Sequence, residues 1–204
     1  SLAKRMSTLS DASANMSLLE ERAERVLDDH IGALPPHVFM LGAEYTPQEF
    51  AHSVCMRNEY MAMTSFTHHP FDEMFVLEIP DNYNNDPFYN VPIDVLMNRI
   101  EKSIRAGHPV CWEGDITEKG FSFKDGVAML GKEQPCTQQQ RQTAFENRST
   151  TDDHCMALIG LAHDKQGHRF YIAKNSWGTD NPYGGLMYLS ENYIRMKTIA
   201  VVVK

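Results

Sequence analysis

The sequence predicts an α+β protein whose strands crowd into the second half of the chain. Three observations carry that expectation. Cys155–Leu161 and Phe170–Ala173 are apolar runs on either side of an Asp-Lys-Gln-Gly turn at Asp164–Gly167, the pattern of a β-hairpin. Thr198–Val203 is β-branched at all but one position, which suits a strand. Apolar residues recur three and four apart over Leu18–Ile31 and again over Val91–Ala106, which marks helices ahead of the strands.

Taken in order, residues 1–31 read as helical. Leu18, Leu19, Ala23, Val26, Leu27 and Ile31 form one stripe, and Glu20, Glu21, Arg22, Glu24 and Arg25 fill the other face. Ser17 and Glu20 have the capping-box spacing, and Gly32 followed by Pro35-Pro36 ends the helix. An earlier helical piece is expected around Ser1–Leu9. Thr46 is the N-cap of a second helix, Pro47 takes its first position and Glu49 completes the box; the helix should reach about Val54. Residues 55–70 read as loop with a short strand, Met74–Ile79 as a strand, and Pro80–Asn90 as a polar turn region pinned by Tyr83, Phe88 and Tyr89.

Val91–Ala106 is the third helix, with Leu96, Ile100 and Ile104 on its inner face and Gly107 closing it. His108–Trp112 reads as a buried strand from which Glu113–Gly120 turns away. Lys124–Arg148, poor in apolar residues and containing Gln138–Gln140, reads as an exposed loop or insertion. After the hairpin, Gly184-Gly185 leads into a strand at Leu186–Leu189, Ser190 caps a short helix at Glu191–Ile194, and Thr198–Val203 closes the chain.

The chemistry gathers at the open end of the hairpin. His154 stands at the entrance of its first strand and Asn175 at the exit of its second, and antiparallel pairing brings those ends together. An Asn amide oxygen can accept an imidazole N–H, which fixes the tautomer and aim of the ring. The other ring nitrogen is then free to take a proton from a nucleophile. Trp177 is placed to shield that hydrogen bond from water. A turn with a buried Trp would account for Asn175–Gly178 but not for a His at the paired position.

Asn175-Ser176-Trp177-Gly178 following a strand-borne His resembles the papain-like cysteine peptidases. The Thr46–Phe50 segment, the Asn82–Pro92 run, Ser103–Asp115 and Gly184–Val203 resemble the bleomycin hydrolase and aminopeptidase C branch, and Gly32–Phe39 its helical insert. The resemblance implies a papain-like fold divided into a helical insert region over residues 1–45 and the His- and Asn-bearing part of the catalytic domain over 46–204. It implies a thiol aminopeptidase acting on peptides through a Cys-His-Asn triad, hexameric as its members often are, without cofactor. It also implies a cytoplasmic setting, with secretion left open.

Two features depart from that pattern. In compact members the nucleophile precedes the His by about 130–150 residues, and no Cys stands there. Cys111-Trp112 imitates the family's Cys-Trp pair but is too close to His154 and follows a strand rather than opening a helix. Cys155 adjoins His154 on one strand, points to the other face and reads as core. The thiol is therefore expected from an upstream segment or a second chain. The chain ends at Lys204, directly after the last strand, so its C-terminal arm reads as several residues shorter than in aminopeptidase members; either strict aminopeptidase specificity is not expected or the end has been trimmed. The alternative is a pseudo-peptidase that binds peptides or partner subunits; a transglutaminase-like acyltransferase would carry Asp where Asn175 stands.

Composition narrows the field. With 204 residues, 42% of them hydrophobic, the chain can bury a core. A net charge of −8 disfavours nucleic acid and anionic membranes as partners, and no apolar run approaches a membrane span. The spacings of Cys55, Cys111, Cys136 and Cys155 fit no zinc framework or dense disulfide scaffold. His68-His69 has no carboxylate or Cys at ligand spacing and reads as a solvated loop, so no metal is expected.

Overall fold

The computed structural model describes residues 16–56, 58–131 and 135–204. Two compact units part between Arg57 and Asn58. Among the described residues, no helix is long and apolar enough to cross a membrane.

The first unit holds helix α1 (Met16–Ile31), a two-stranded hairpin of β1 (Val38–Met40) and β2 (Ala43–Tyr45), and helix α2 (Pro47–Val54). Helix α1 is already formed at Met16, so Ser17 lies inside it rather than capping it. The expected helical piece at Ser1–Leu9 lies outside the described residues. Helix α2 has the capping box that its sequence predicts, with Thr46 accepting the Glu49 N–H and the Glu49 carboxylate accepting the Thr46 N–H. The β1–β2 hairpin turns at Leu41 and Gly42, both at positive φ.

The second unit is built on one ten-stranded sheet in the order β4-β5-β3-β12-β6-β9-β10-β11-β8-β7. Its strands are β3 (Met61–Thr64), β4 (Met74–Val76), β5 (Pro87–Asn90), β6 (Val110–Gly114), β7 (Phe121–Ser122), β8 (Val127–Ala128), β9 (His154–His163), β10 (Arg169–Lys174), β11 (Leu186–Ser190) and β12 (Thr198–Val203). Helices α3 (Ile93–Arg105), α4 (Gln138–Glu146) and α5 (Glu191–Lys197) complete it. Helix α3 buries Ile93, Leu96, Met97 and Ile100 in one core with Trp112, Met156, Leu158, Tyr171, Leu189 and Ile194. That core is the underside of the central strands, and it fixes β6, β9 and β10 from beneath.

Three expectations are corrected here. Residues 138–146, expected as loop, form helix α4, with Thr137 and Gln140 closing a capping box. Its buried face is polar: Arg141 and Gln142 are sequestered and hydrogen-bonded, so hydrophobic periodicity could not reveal it. The fully buried Arg141 guanidinium lies 4.6 Å over the Phe66 ring, donates to Ser65 O at 2.8 Å, and is pushed down to about 9 by burial. Tyr83 is 82% exposed and pins nothing; Asn82 holds that turn through Leu77 O, Asp86 O and the Asp86 N–H. Glu113 belongs to β6 rather than to the turn after it.

Candidate active site

Strands β9 and β10 form the predicted hairpin, but its register shifts between Ile172 and Ala173. Ile172 pairs with Gly160, yet Ala173 pairs with Leu158, so Ile159 is the extra residue of a β-bulge. The shift changes which residues of β9 face the core. Beyond it Leu158 and Met156 lie on the buried side with Tyr171 and Ala173 of β10. His154 continues that alternation from β9, and Asn175 continues it from β10. The bulge therefore puts imidazole and amide on one face, where an unbroken ladder would have set them on opposite faces.

His154 Nε2 lies 2.9 Å from Asn175 Oδ1. The same oxygen accepts the Ser176 backbone N–H at 2.7 Å, while Asn175 Nδ2 faces the Met187 sulfur at 3.6 Å. A backbone N–H can only donate, so it pins the amide oxygen toward His154. The imidazole must then donate from Nε2, which leaves Nδ1 as the ring nitrogen that Asn175 does not engage. Asn175 is 6% exposed, so little water competes for this contact. The arrangement can hold a neutral His in one tautomer, with Nδ1 ready to accept a proton.

Trp177 packs its ring 4.9 Å from the His154 ring, centroid to centroid. It remains 48% exposed, so it covers the His154 ring only in part. Phe121 and Phe123 meet Trp177 edge-on at 5.9 and 5.5 Å. Phe121 and Phe123 lie more than fifty positions from Trp177, and no local pattern in the sequence links them to it.

The thiols lie elsewhere. Cys111 and Cys155 project from the exposed side of β6 and β9, with Trp112 and Met156 between them on the buried side. Cys155 is thus exposed rather than part of the core. Burial, then Glu113, pushes the Cys111 thiol up; the same causes push Cys155 up to about 11. Cys136 is buried against Thr137 O and the Met196 sulfur. A mostly apolar groove of 620 Å³ runs past Tyr60, Cys111, Cys155 and Lys174 to Asn175 and Ser176. A second cavity, of 530 Å³, lies at the far end of β9 beside His163, Arg169 and Arg195.

Two clusters among the described residues have donor atoms close enough to hold a cation: His68, His69 and Glu78, and Asp81, Glu113 and Asp152. The first corrects the expectation that His68-His69 lacks a carboxylate. Glu78 lies 3.1 Å from His68 Nε2 and 2.7 Å from His69 Nε2. Gln142 argues against a metal there. Its Oε1 accepts the Thr67 N–H, so its Nε2 donates to His68 Nδ1. His68 then carries its proton on Nε2 and presents a donor, not a lone pair, to the cluster. In the second cluster Glu113 is pushed up by burial and then by its two acidic neighbours.

Aminopeptidase G of Lactobacillus delbrueckii subsp. lactis is 24% identical over 155 residues, covering 72% of this chain and 35% of its own length. The crystal structure of PepW from Lactobacillus rhamnosis HN001 superposes with a TM-score of 0.65 at 18% identity, over 99% of this chain and 52% of that one. The chain thus spans about a third of the first relative and about half of the second. The profile of the Peptidase C1-like family matches residues 37–204, which include the whole sheet and the His154–Asn175 pair. The chain belongs to the Peptidase C1-like family, as the Asn-Ser-Trp-Gly motif behind a strand-borne His implies.

Proposed function

We propose that this chain supplies the proton-handling half of a thiol peptidase. The observation that carries the reading is the His154 Nε2–H donated to Asn175 Oδ1 at 2.9 Å, with the Ser176 N–H holding that oxygen in place. His154 Nδ1 takes the proton of a cysteine thiol, giving a thiolate–imidazolium couple. The thiolate attacks the peptide carbonyl carbon, and the tetrahedral intermediate collapses to an acyl-enzyme as the imidazolium gives its proton to the departing amine. His154 then accepts a proton from water, whose hydroxide attacks the acyl carbon; return of the proton to sulfur frees the acid product. Asn175 keeps the ring aimed throughout, and Trp177 covers it in part.

The nucleophile comes from outside the 58–204 unit. Cys111 and Cys155 face away from His154, and Cys136 is packed beneath the surface. Peptides are the substrate class, and the likeness to Aminopeptidase G favours attack at their amino-terminal end. The segment that bears the thiol, within the same enzyme, is the necessary partner, and the homo-oligomer expected from the resemblance belongs to this reading.

Steady-state kinetics on the full-length enzyme test it. His154→Ala should lower kcat/KM by about a thousandfold or more, and Asn175→Ala by about ten- to a hundredfold, because orientation is partly recoverable. An Asn175→Ala variant as slow as His154→Ala contradicts this ranking. Full activity in His154→Ala removes the proposal and leaves a peptide-binding role.

A further inference from the structure

The segment that leads into β9 is tied down at three alternate residues. Lys197 Nζ, at the end of α5, donates to Ser149 O at 2.6 Å. Asp115 Oδ2, just beyond β6, accepts the Thr151 N–H at 3.0 Å. Asp153 Oδ1 accepts the Ile116 N–H at 2.9 Å. The next residue is His154, paired directly with Gly114 of β6.

Asp115 is the hub of this arrangement. It is 1% exposed. Its second oxygen accepts both the N–H and the hydroxyl of Thr117, at 2.8 and 2.7 Å. Its own N–H donates to Lys197 O at 3.0 Å, and its carbonyl accepts the Tyr193 hydroxyl at 2.8 Å. Lys197, 2% exposed, has Glu118 Oε1 at 2.6 Å and Asp115 Oδ2 at 3.7 Å. Gly114, the last residue of β6 and the neighbour of this hub, has no space for a side chain. A Cβ on Gly114 would lie 2.3 Å from Lys197 O and 2.4 Å from the Trp112 ring.

A buried ionic cluster is a poor source of net stability, since desolvation offsets most of the Coulombic gain and apolar packing would serve the fold as well. What this cluster does specify is geometry. Its hydrogen bonds run to the backbone on both sides of His154's entry into the sheet. The imidazole is then held at two points, its ring by Asn175 and its backbone approach by Asp115.

We propose that Asp115, with Lys197 behind it, is a positioning residue that sets where the His154 ring meets its reaction partner. The inference rests on the reading of His154 as the proton carrier. The test is nitrogen-15 NMR of histidine-labelled full-length protein, paired with steady-state kinetics, for Asp115→Asn. The wild type should show His154 as a single tautomer protonated at Nε2. In Asp115→Asn the His154 ring signals should move toward tautomer-averaged positions while those of His163, at the far end of β9, stay in place. The same variant should lose about ten- to a hundredfold in kcat with KM within about twofold, as misplacement of a reacting group does. Unchanged His154 signals and kcat overturn the proposal, whatever happens to thermal stability. If Asp115→Asn does not fold, Lys197→Met, which fills similar space without the ammonium, is read in the same way, and unchanged His154 signals there overturn it too. The NMR arm does not depend on activity, so it separates this inference from the peptidase reading, which His154→Ala kinetics decides.

Discussion

The two faces of strands β6 and β9 carry reactive groups in opposite states. On the buried side, His154 donates its Nε2–H to Asn175 Oδ1, which fixes the aim of the ring. On the exposed side, Cys111 and Cys155 line one groove, and burial and then the Glu113 carboxylate push both thiols up. Cys155 is the residue next to His154, yet strand alternation sends the two side chains apart. Burial and the Glu113 carboxylate also push its thiol up, against thiolate formation. Proximity in sequence and the right residue type therefore do not make a catalytic couple; the face and its charges decide.

The comparison breaks most visibly in activity. His154→Ala should cost about a thousandfold or more in kcat/KM, whereas Cys155→Ser should stay within about twofold in the same full-length enzyme. A Cys155→Ser variant as inactive as His154→Ala would put the nucleophile on the wrong face and overturn the contrast. A stability comparison across the bulge sharpens it next. Leu158 is fully buried and Ile159 is 41% exposed. Leu158→Ala should lose about 2–5 kcal/mol in urea unfolding, and Ile159→Ala less than about 1 kcal/mol. Equal losses would mean that the bulge does not set which residues of β9 face the core.

Thiol chemistry gives a smaller and purely local readout. A thiol near pKa 11 is thiolate in about one molecule per thousand at pH 8. Iodoacetamide should therefore label Cys155 on the order of a hundredfold more slowly than an unhindered cysteine peptide at that pH. The rate should climb about tenfold per pH unit and level off only near pH 11. Saturation near pH 8 would show that burial and Glu113 do not hold its proton.

Local signals were the legible ones. The caps at Thr46 and Ser190, the hairpin turn and the final β-branched strand each depend on residues within a few positions of one another. His154, Asn175 and Trp177 were legible because a hairpin converts sequence order into proximity. Helix α4 was hidden because its buried face is Arg141 and Gln142, which form hydrogen bonds rather than an apolar stripe. The β1–β2 hairpin turns on Leu41-Gly42, with Leu at a positive φ that Asn or Gly usually fills. Glu78 beside His68, Phe121 beside Trp177 and Asp115 beside Thr151 are tertiary pairings that no spacing rule reaches. The bulge at Ile159 was invisible for a related reason: it is a property of pairing between strands, not of either strand alone.

The most direct measurement is to label the full-length enzyme with a thiol-reactive peptidyl inhibitor and to locate the modified cysteine by peptide mass mapping, in the wild type and in His154→Ala. The expected result is one labelled cysteine that is none of Cys55, Cys111, Cys136 and Cys155, and loss of that label when His154 is replaced. A label on Cys111 or Cys155, or labelling that survives His154→Ala at the same rate, would contradict it.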